Sequence, residues 1–95
     1  MAVLVDDPLW WWRGRRWCHL VSDASYDELH AFAREVGIPE RGFDRDHYDV
    51  PSEWYDDMLA AGAVPVTSRE LIRRLVESGL RRRKRRQPDP TNEED

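Results

Sequence analysis

Ninety-five residues with a single cysteine leave room for one core and exclude an internal disulfide. Forty per cent apolar residues and five tryptophans exclude a globally disordered chain, and the longest apolar run is far short of a membrane span. The net charge of −4 is uneven: RRRKRR at 81–86 holds six cations, the nine residues after it hold four acids, and residues 1–80 carry nine basic against fifteen acidic side chains, which excludes a nucleic-acid surface spread over the whole domain.

The opening MAVLVDD lacks the basic segment of a secretory signal, and Cys18 reads as a small buried hydrophobe, so the expectation is a cytoplasmic domain. Ala2 to Val5 is a β-branched apolar run, a first strand stopped at Asp6-Asp7-Pro8. Leu9 to Arg16, LWWWRGRR, reads as an ordered loop or short hairpin arm, since three consecutive indoles cannot all face one side. Two roles fit it: indoles capping the core, or an Arg/Trp surface that stacks bases and grips phosphates. Trp17 to Val21 is a second strand. Ser25 is placed to cap a helix, with Glu28 closing a reciprocal capping box. Leu29, Phe32, Ala33 and Val36 form its apolar stripe, Gly37 its left-handed end and Pro39 its stop.

Glu40 to Arg45 is a polar loop around Gly42. His47 to Val50 alternates as a third strand. Ser52 to Ala61 is a second helix with Tyr55, Met58 and Leu59 inward, ended by Gly62. Ala63 to Val66 is a fourth strand that Pro65 assigns to an edge. Thr67 and Glu70 repeat the capping box, and Leu71, Ile72, Leu75 and Val76 stripe a third helix ending near Gly79. Residues 81–95 read as a charged, disordered tail on one domain of residues 1–80. The order ββαβαβα predicts a small α/β domain, a parallel or mixed four-stranded sheet against three helices.

Such sheets place ligands beyond the carboxyl ends of their strands. Those ends read Asp6-Asp7, Ser22-Asp23, Asp49 and Thr67-Ser68-Arg69. Three chemistries fit. Carboxylates of Asp6, Asp23 and Asp49 hold Mg²⁺ or Mn²⁺ bridging a phosphate, with Arg69 and Ser22 on the phosphate. Alternatively His19, His47 and Asp49 hold Zn²⁺. In the third, His19 or His47 is a general base oriented by Asp23 or Asp49. His30, Tyr48 and Glu28 lie close by in sequence and join the candidate set. Structural roles compete for several: Ser22, Ser25 and Thr67 as caps, His30 as a core-edge hydrogen bonder, Asp6 as the start of a turn. There is no HExxH, CxxC, Walker lysine or GxGxxG.

The segments VDDP, RGRRWCHLVSD, DELHAFA, DHYDVP and GAVPVTSRELIRRL resemble a small uncharacterised domain family of bacteria, notably actinobacteria, and their phages, over Val3 to about Leu80. The resemblance implies a compact cytoplasmic domain of unknown function. Its polar signature falls on Asp6, His19, Ser22, Asp23, Glu28, His30, His47, Tyr48, Asp49 and Arg69. The tryptophans at 10–12 and the run at 81–86 depart from it.

The leading functional expectation is a site that binds or hydrolyses a nucleotide or nucleic-acid phosphodiester with a divalent ion. Whether it is an enzyme stays open. The alternative is a non-catalytic accessory protein whose basic run 81–86 grips nucleic acid or an acidic partner. A third is an oligomer joined through Trp10-Trp11-Trp12.

Overall fold

The computed structural model describes residues 2–82, so the tail expected from 81 onward lies, from residue 83, outside the described residues. Val3–Asp6 (β1), Trp10–Trp12 (β2) and Arg15–Ser22 (β3) form one long hairpin. β2 turns into β3 through Arg13 and Gly14, both at positive φ (52° and 76°), as a two-residue type I′ turn demands. β1 and β2 lie end to end along the same side of β3, but their registers disagree. Val5 stands opposite Leu20, whereas Trp10 stands opposite Trp17. Four residues, Asp6 to Leu9, therefore face only Cys18 and His19. Pro8 sits in this excess, where the Leu9 N–H bonds the Asp7 carbonyl at 2.8 Å.

Helix α1 follows at Tyr26–Val36, then a 3₁₀ turn at Glu40–Gly42, β4 at Phe43–Asp44 and β5 at His47–Pro51. A second 3₁₀ turn at Ser52–Trp54 leads into α2 at Tyr55–Ala60, β6 at Val64–Val66 and α3 at Ser68–Ser78. The sheet has six strands in the order β4-β5-β3-β1-β6, with β2 also on β3. Every pairing is antiparallel except β1 with β6. This corrects the four-stranded ββαβαβα expectation. The joints at Arg13-Gly14 and Arg45-Asp46 are two residues long, too short for a crossover. Residues 23–42, with α1, and residues 52–63, with α2, carry the chain across to strands of the same direction. β6 is an edge strand, as Pro65 requires.

Both faces of the sheet are covered, which is why all four residues of β1 are buried. Val3, Val5, Cys18, Leu20, Tyr48 and Val50 pack with Leu29, Phe32 and Ala33 of α1 and Met58 of α2. Leu4 and Val21, pointing the other way, meet Leu71 and Leu75 of α3. Ile72 and Val76, expected in that stripe, remain 40% and 47% exposed, because α3 touches only this narrow band of sheet. No helix among the described residues is long and apolar enough to cross a membrane.

Each capping box is formed by half. The Ser25 and Thr67 hydroxyls accept the N–H of Glu28 and Glu70 at 3.0 Å. The glutamates do not reach back: Glu28 accepts from the Ser22 hydroxyl at 2.6 Å, and Glu70 binds Arg73. Ser22 also accepts the N–H groups of Ala24 and Ser25, so it organises the entrance to α1. Asp23 accepts the Ala2 N–H at 2.6 Å and Arg74 of α3 at 2.7 Å.

Burial works to raise the Asp23 carboxyl, but the Ala2 N–H and the Arg74 guanidinium outweigh it and hold it below its ordinary 3.8. A carboxylate held low stabilises the fold above its ordinary value and loses that contribution as pH falls through the lowered one. Arg74→Met should therefore cost about 1 kcal/mol at neutral pH. In urea melts, the gap from wild type should close progressively on acidification.

Candidate functional site

The alternation of two paired strands builds the site. In β5, Tyr48 and Val50 point into the core beside α1, which turns His47 and Asp49 to the opposite face. In β3, Cys18 and Leu20 are core, so His19 shares the face of Val21. His19 stands directly opposite Asp49 in the register, close enough for their side chains to interact. α3 covers Val21 but begins only at Ser68, leaving this part of the sheet uncovered. The result is a cleft of about 380 Å³ bordered by Asp6, His19, His47, Asp49, Ser68 and Arg45.

Both imidazoles are fixed from behind by a buried carboxylate. His19 Nδ1 lies 2.8 Å from Asp6 Oδ2, and His47 Nδ1 lies 2.7 Å from Asp46 Oδ1. Asp6 and Asp46 are each 1% exposed, a costly position for a charge without partners. Asp6 gathers three donors: the His19 ring, the His19 backbone N–H at 2.7 Å and the Ser68 hydroxyl at 2.8 Å. Burial pushes its carboxyl up, but these bonds prevail and hold it below the usual range. The His19 N–H takes Asp6 as partner where the register slip has broken the strand ladder. Asp46 also accepts the Arg82 N–H at 2.7 Å, with the Arg81 guanidinium 3.6 Å away.

With Nδ1 committed, each ring presents Nε2 to Asp49. Asp49 Oδ1 lies 3.0 Å from His47 Nε2 and 3.9 Å from His19 Nε2. Yet that oxygen is buried and makes no hydrogen bond. One donor atom from each of His19, His47 and Asp49 lies within 4.8 Å of the others. Burial disfavours a charged His47, but the flanking carboxylates of Asp49 and Asp46 overcome it and raise its pKa. The space between His47 and Asp49 is thus built for positive charge. Arg45 Nε is also buried without a hydrogen bond, with Asp44 Oδ1 3.4 Å away, and Arg45 lines the same cleft. Among the described residues, these two orphaned side-chain atoms, one acceptor and one donor, face a common space. Trp10 closes one wall, its indole stacked on His19 at 5.1 Å and 12°.

The expected convergence of His19, His47 and Asp49 is found, and that of Asp23 is not. A strand advances about 3.3 Å per residue, so Asp23 lies about 13 Å beyond His19 along the chain, bonded to Arg74 and Ala2. Asp6, expected as a metal ligand, serves His19 from behind. Arg69 is exposed outside the cleft. A helix turns about 100° per residue, so Ser68 faces Asp6 and its neighbour does not. Ser22 and Glu28 belong to the start of α1. His30 Nδ1 pairs with the Tyr48 hydroxyl at 2.7 Å against Phe43, and burial raises the Tyr48 phenol. Cys18 is fully buried and its thiol is pushed up to about 12 by burial and by Asp6, so it offers no thiolate ligand. Absent from the expected site were Asp46, Ser68, Arg45 and Arg81. Asp46 had a signal in adjoining His47 in DHYD, Ser68 in standing at a polar strand end, and Arg81 only as part of the basic run.

A family model described as protein of unknown function (DUF4031) matches residues 3–78. No curated protein and no solved structure matches the chain.

The separation of His30 and Tyr48 from the cleft has a measurable consequence. Tyr48→Phe should lower unfolding free energy by about 1 kcal/mol, the loss of one buried hydrogen bond. The imidazole resonances of His19 and His47 should stay in place in NMR spectra, while those of His30 shift.

Proposed function

The chain belongs to the DUF4031 family of proteins of unknown function, and for its cleft we propose a divalent metal centre that hydrolyses a phosphate ester. The ligands are Nε2 of His19, Nε2 of His47 and Oδ1 of Asp49. The observation that carries this reading is the buried, unbonded Asp49 oxygen facing two imidazoles whose other nitrogens are already committed to carboxylates. Histidines that ligate metals are commonly held in this way, with Nδ1–H donated to a carboxylate so that the Nε2 lone pair is free. Two imidazoles and one carboxylate suit Zn²⁺ or Mn²⁺ better than Mg²⁺, which prefers oxygen alone. Three protein ligands leave open coordination positions, the mark of catalytic rather than structural sites.

A bound ion would supply an activated water and polarise a phosphoryl oxygen. The remaining roles belong to the chain. The guanidinium groups of Arg45, whose Nε makes no hydrogen bond, and of Arg81 supply the positive charge that phosphate oxygens need. Asp6 and Asp46 hold the two rings in one tautomer. Hydrolysis forms a bond from water oxygen to phosphorus and breaks a phosphorus–oxygen ester bond. The products are an alcohol and a phosphate with one ester fewer. Of the run at 81–86 that the accessory reading uses, only Arg81 and Arg82 are described: Arg82 lies over Tyr26 at 3.9 Å and Arg81 borders the cleft beside Asp46.

Calorimetric titration of the metal-free chain with Mn²⁺ and Zn²⁺ tests the centre. Wild type should take up one ion, His47→Ala and Asp49→Ala none, and Asp46→Asn should bind about 10- to 100-fold more weakly. Hydrolysis of bis-p-nitrophenyl phosphate should require the ion and stop with EDTA. Equal, negligible heats for wild type and His47→Ala would overturn the proposal.

A further inference from the structure

The three tryptophans do not cap the core. Trp10, Trp11 and Trp12 are 38%, 59% and 46% exposed, and none joins either hydrophobic cluster. Their arrangement is ordered all the same. The Trp12 ring stacks parallel to Trp10 (6.0 Å, 5°), and Trp10 stacks on the His19 imidazole. A row of aromatic faces thus runs from the hairpin tip to a side chain of the cleft. Trp17 leans against the row, 5.4 Å from Trp12, its indole N–H bonded to the Trp12 carbonyl at 2.7 Å.

Beside this row lies a second cleft, of about 630 Å³, whose lining includes Trp12, Trp17 and Trp54 with Arg13, Arg15 and Arg41. Asp49 borders both clefts, so the second opens next to the proposed metal ligands. The local charge is the reverse of the acidic body: WWWRGRRW holds three arginines and no acid. Arg13 and Arg16 lie over Trp12 and Trp11 at 4.6 and 5.2 Å, and among the described residues Arg15 makes a 3.9 Å contact to exposed Glu53.

Resting on the hydrolytic reading above, we propose that the substrate is single-stranded nucleic acid, laid along the β2–β3 hairpin with its bases on the tryptophans and its backbone on the arginines. Flat indoles beside cationic side chains are the combination that holds unpaired bases and phosphates together. A duplex keeps its bases stacked inward and presents nothing for Trp12 or Trp17 to receive. The indole row then leads the strand's phosphodiester toward His19 and Asp49.

The test is fluorescence anisotropy of labelled oligothymidylate and oligouridylate of about ten nucleotides, and of a duplex of equal length, titrated with the full chain in EDTA. Wild type should bind single strands at least about ten-fold more tightly than duplex; the two oligomers rank DNA against RNA. Trp12→Ala/Arg15→Ala should lose about ten-fold or more while keeping the wild-type circular dichroism melt, and Arg41→Ala should weaken binding if the double variant fails to fold. Equal affinity for duplex and single strand, or undiminished binding by the hairpin variants, would overturn the proposal. So would a wild-type dimer in sedimentation that dissociates in Trp12→Ala/Arg15→Ala without any strand binding, since it would assign the indoles to a second copy. Strand binding without metal uptake would leave the hairpin surface standing and remove the hydrolytic reading. Metal uptake and ester hydrolysis without strand binding would do the reverse.

Discussion

Two carboxylates shut away from water, Asp6 and Asp46, decide what the histidines beside them can do. A buried charge is tolerated only when its oxygens are met by donors, and each of these is met by an imidazole Nδ1 and by backbone N–H. The need runs in both directions. The carboxylates require the rings, and the rings lose the freedom to rotate or to change tautomer. Their Nε2 atoms are thereby aimed at Asp49 before any ligand arrives. An interaction that the fold requires for its own integrity is the same one that organises the cleft.

The way the hairpin is broken explains how Asp6 came to be there. In an unbroken ladder the His19 N–H would bond a backbone carbonyl and the residue opposite would carry no special duty. Proline offers no N–H and cannot sit within a central ladder. The chain around Pro8 loops out by two residues, and the Asp6 side chain takes the donor left over. Such slips re-aim side chains and accumulate near functional sites. Asp6 then reaches the Ser68 hydroxyl as well, which ties the start of α3 to the rim of the cleft. On the far side, residues 80–82 cross the β4–β5 turn: Tyr26 donates its hydroxyl to the Leu80 carbonyl, and the Arg82 N–H closes on Asp46. Both histidine supports are therefore locked by segments remote in sequence.

What could be read from the residues alone followed from local rules. Ser25, Gly37 and Pro39 punctuate α1 where capping chemistry places them. The alternation of HYDV put His47 and Asp49 on one face and Tyr48 and Val50 on the other. Strand order was not legible, because a two-residue joint such as Arg45-Asp46 looks like any polar loop until its partner strands are known. That error spread to the site. A parallel sheet collects strand ends on one rim, which recruited Asp23, Ser22 and Arg69. An antiparallel sheet collects residues opposite one another in register, which recruits His19 with Asp49 and leaves Asp23 to Arg74. Arg45 carried no local mark, and Arg81 was marked only as part of the basic run; the turn and the returning chain bring them to the cleft.

The arrangement at Asp49 is poor for stability. An acceptor buried without a hydrogen bond costs the fold the hydration it gave up, and replacing such polar clusters with apolar groups often stabilises a protein. A proton on His47 offsets part of that cost, because it makes the ring a cation between two carboxylates and accounts for its raised pKa. The 3.0 Å approach of Nε2 to Asp49 is an ion-pair contact without full hydrogen-bond alignment. A metal ion held by His19, His47 and Asp49 would take the Nε2 lone pairs and would not need Asp49 Oδ1 in line with the ring. Under the metal reading, proton and metal would compete for one position. That mismatch, beside an Arg45 Nε that makes no hydrogen bond, sets this cleft apart from a pair of histidines satisfied by their own fold.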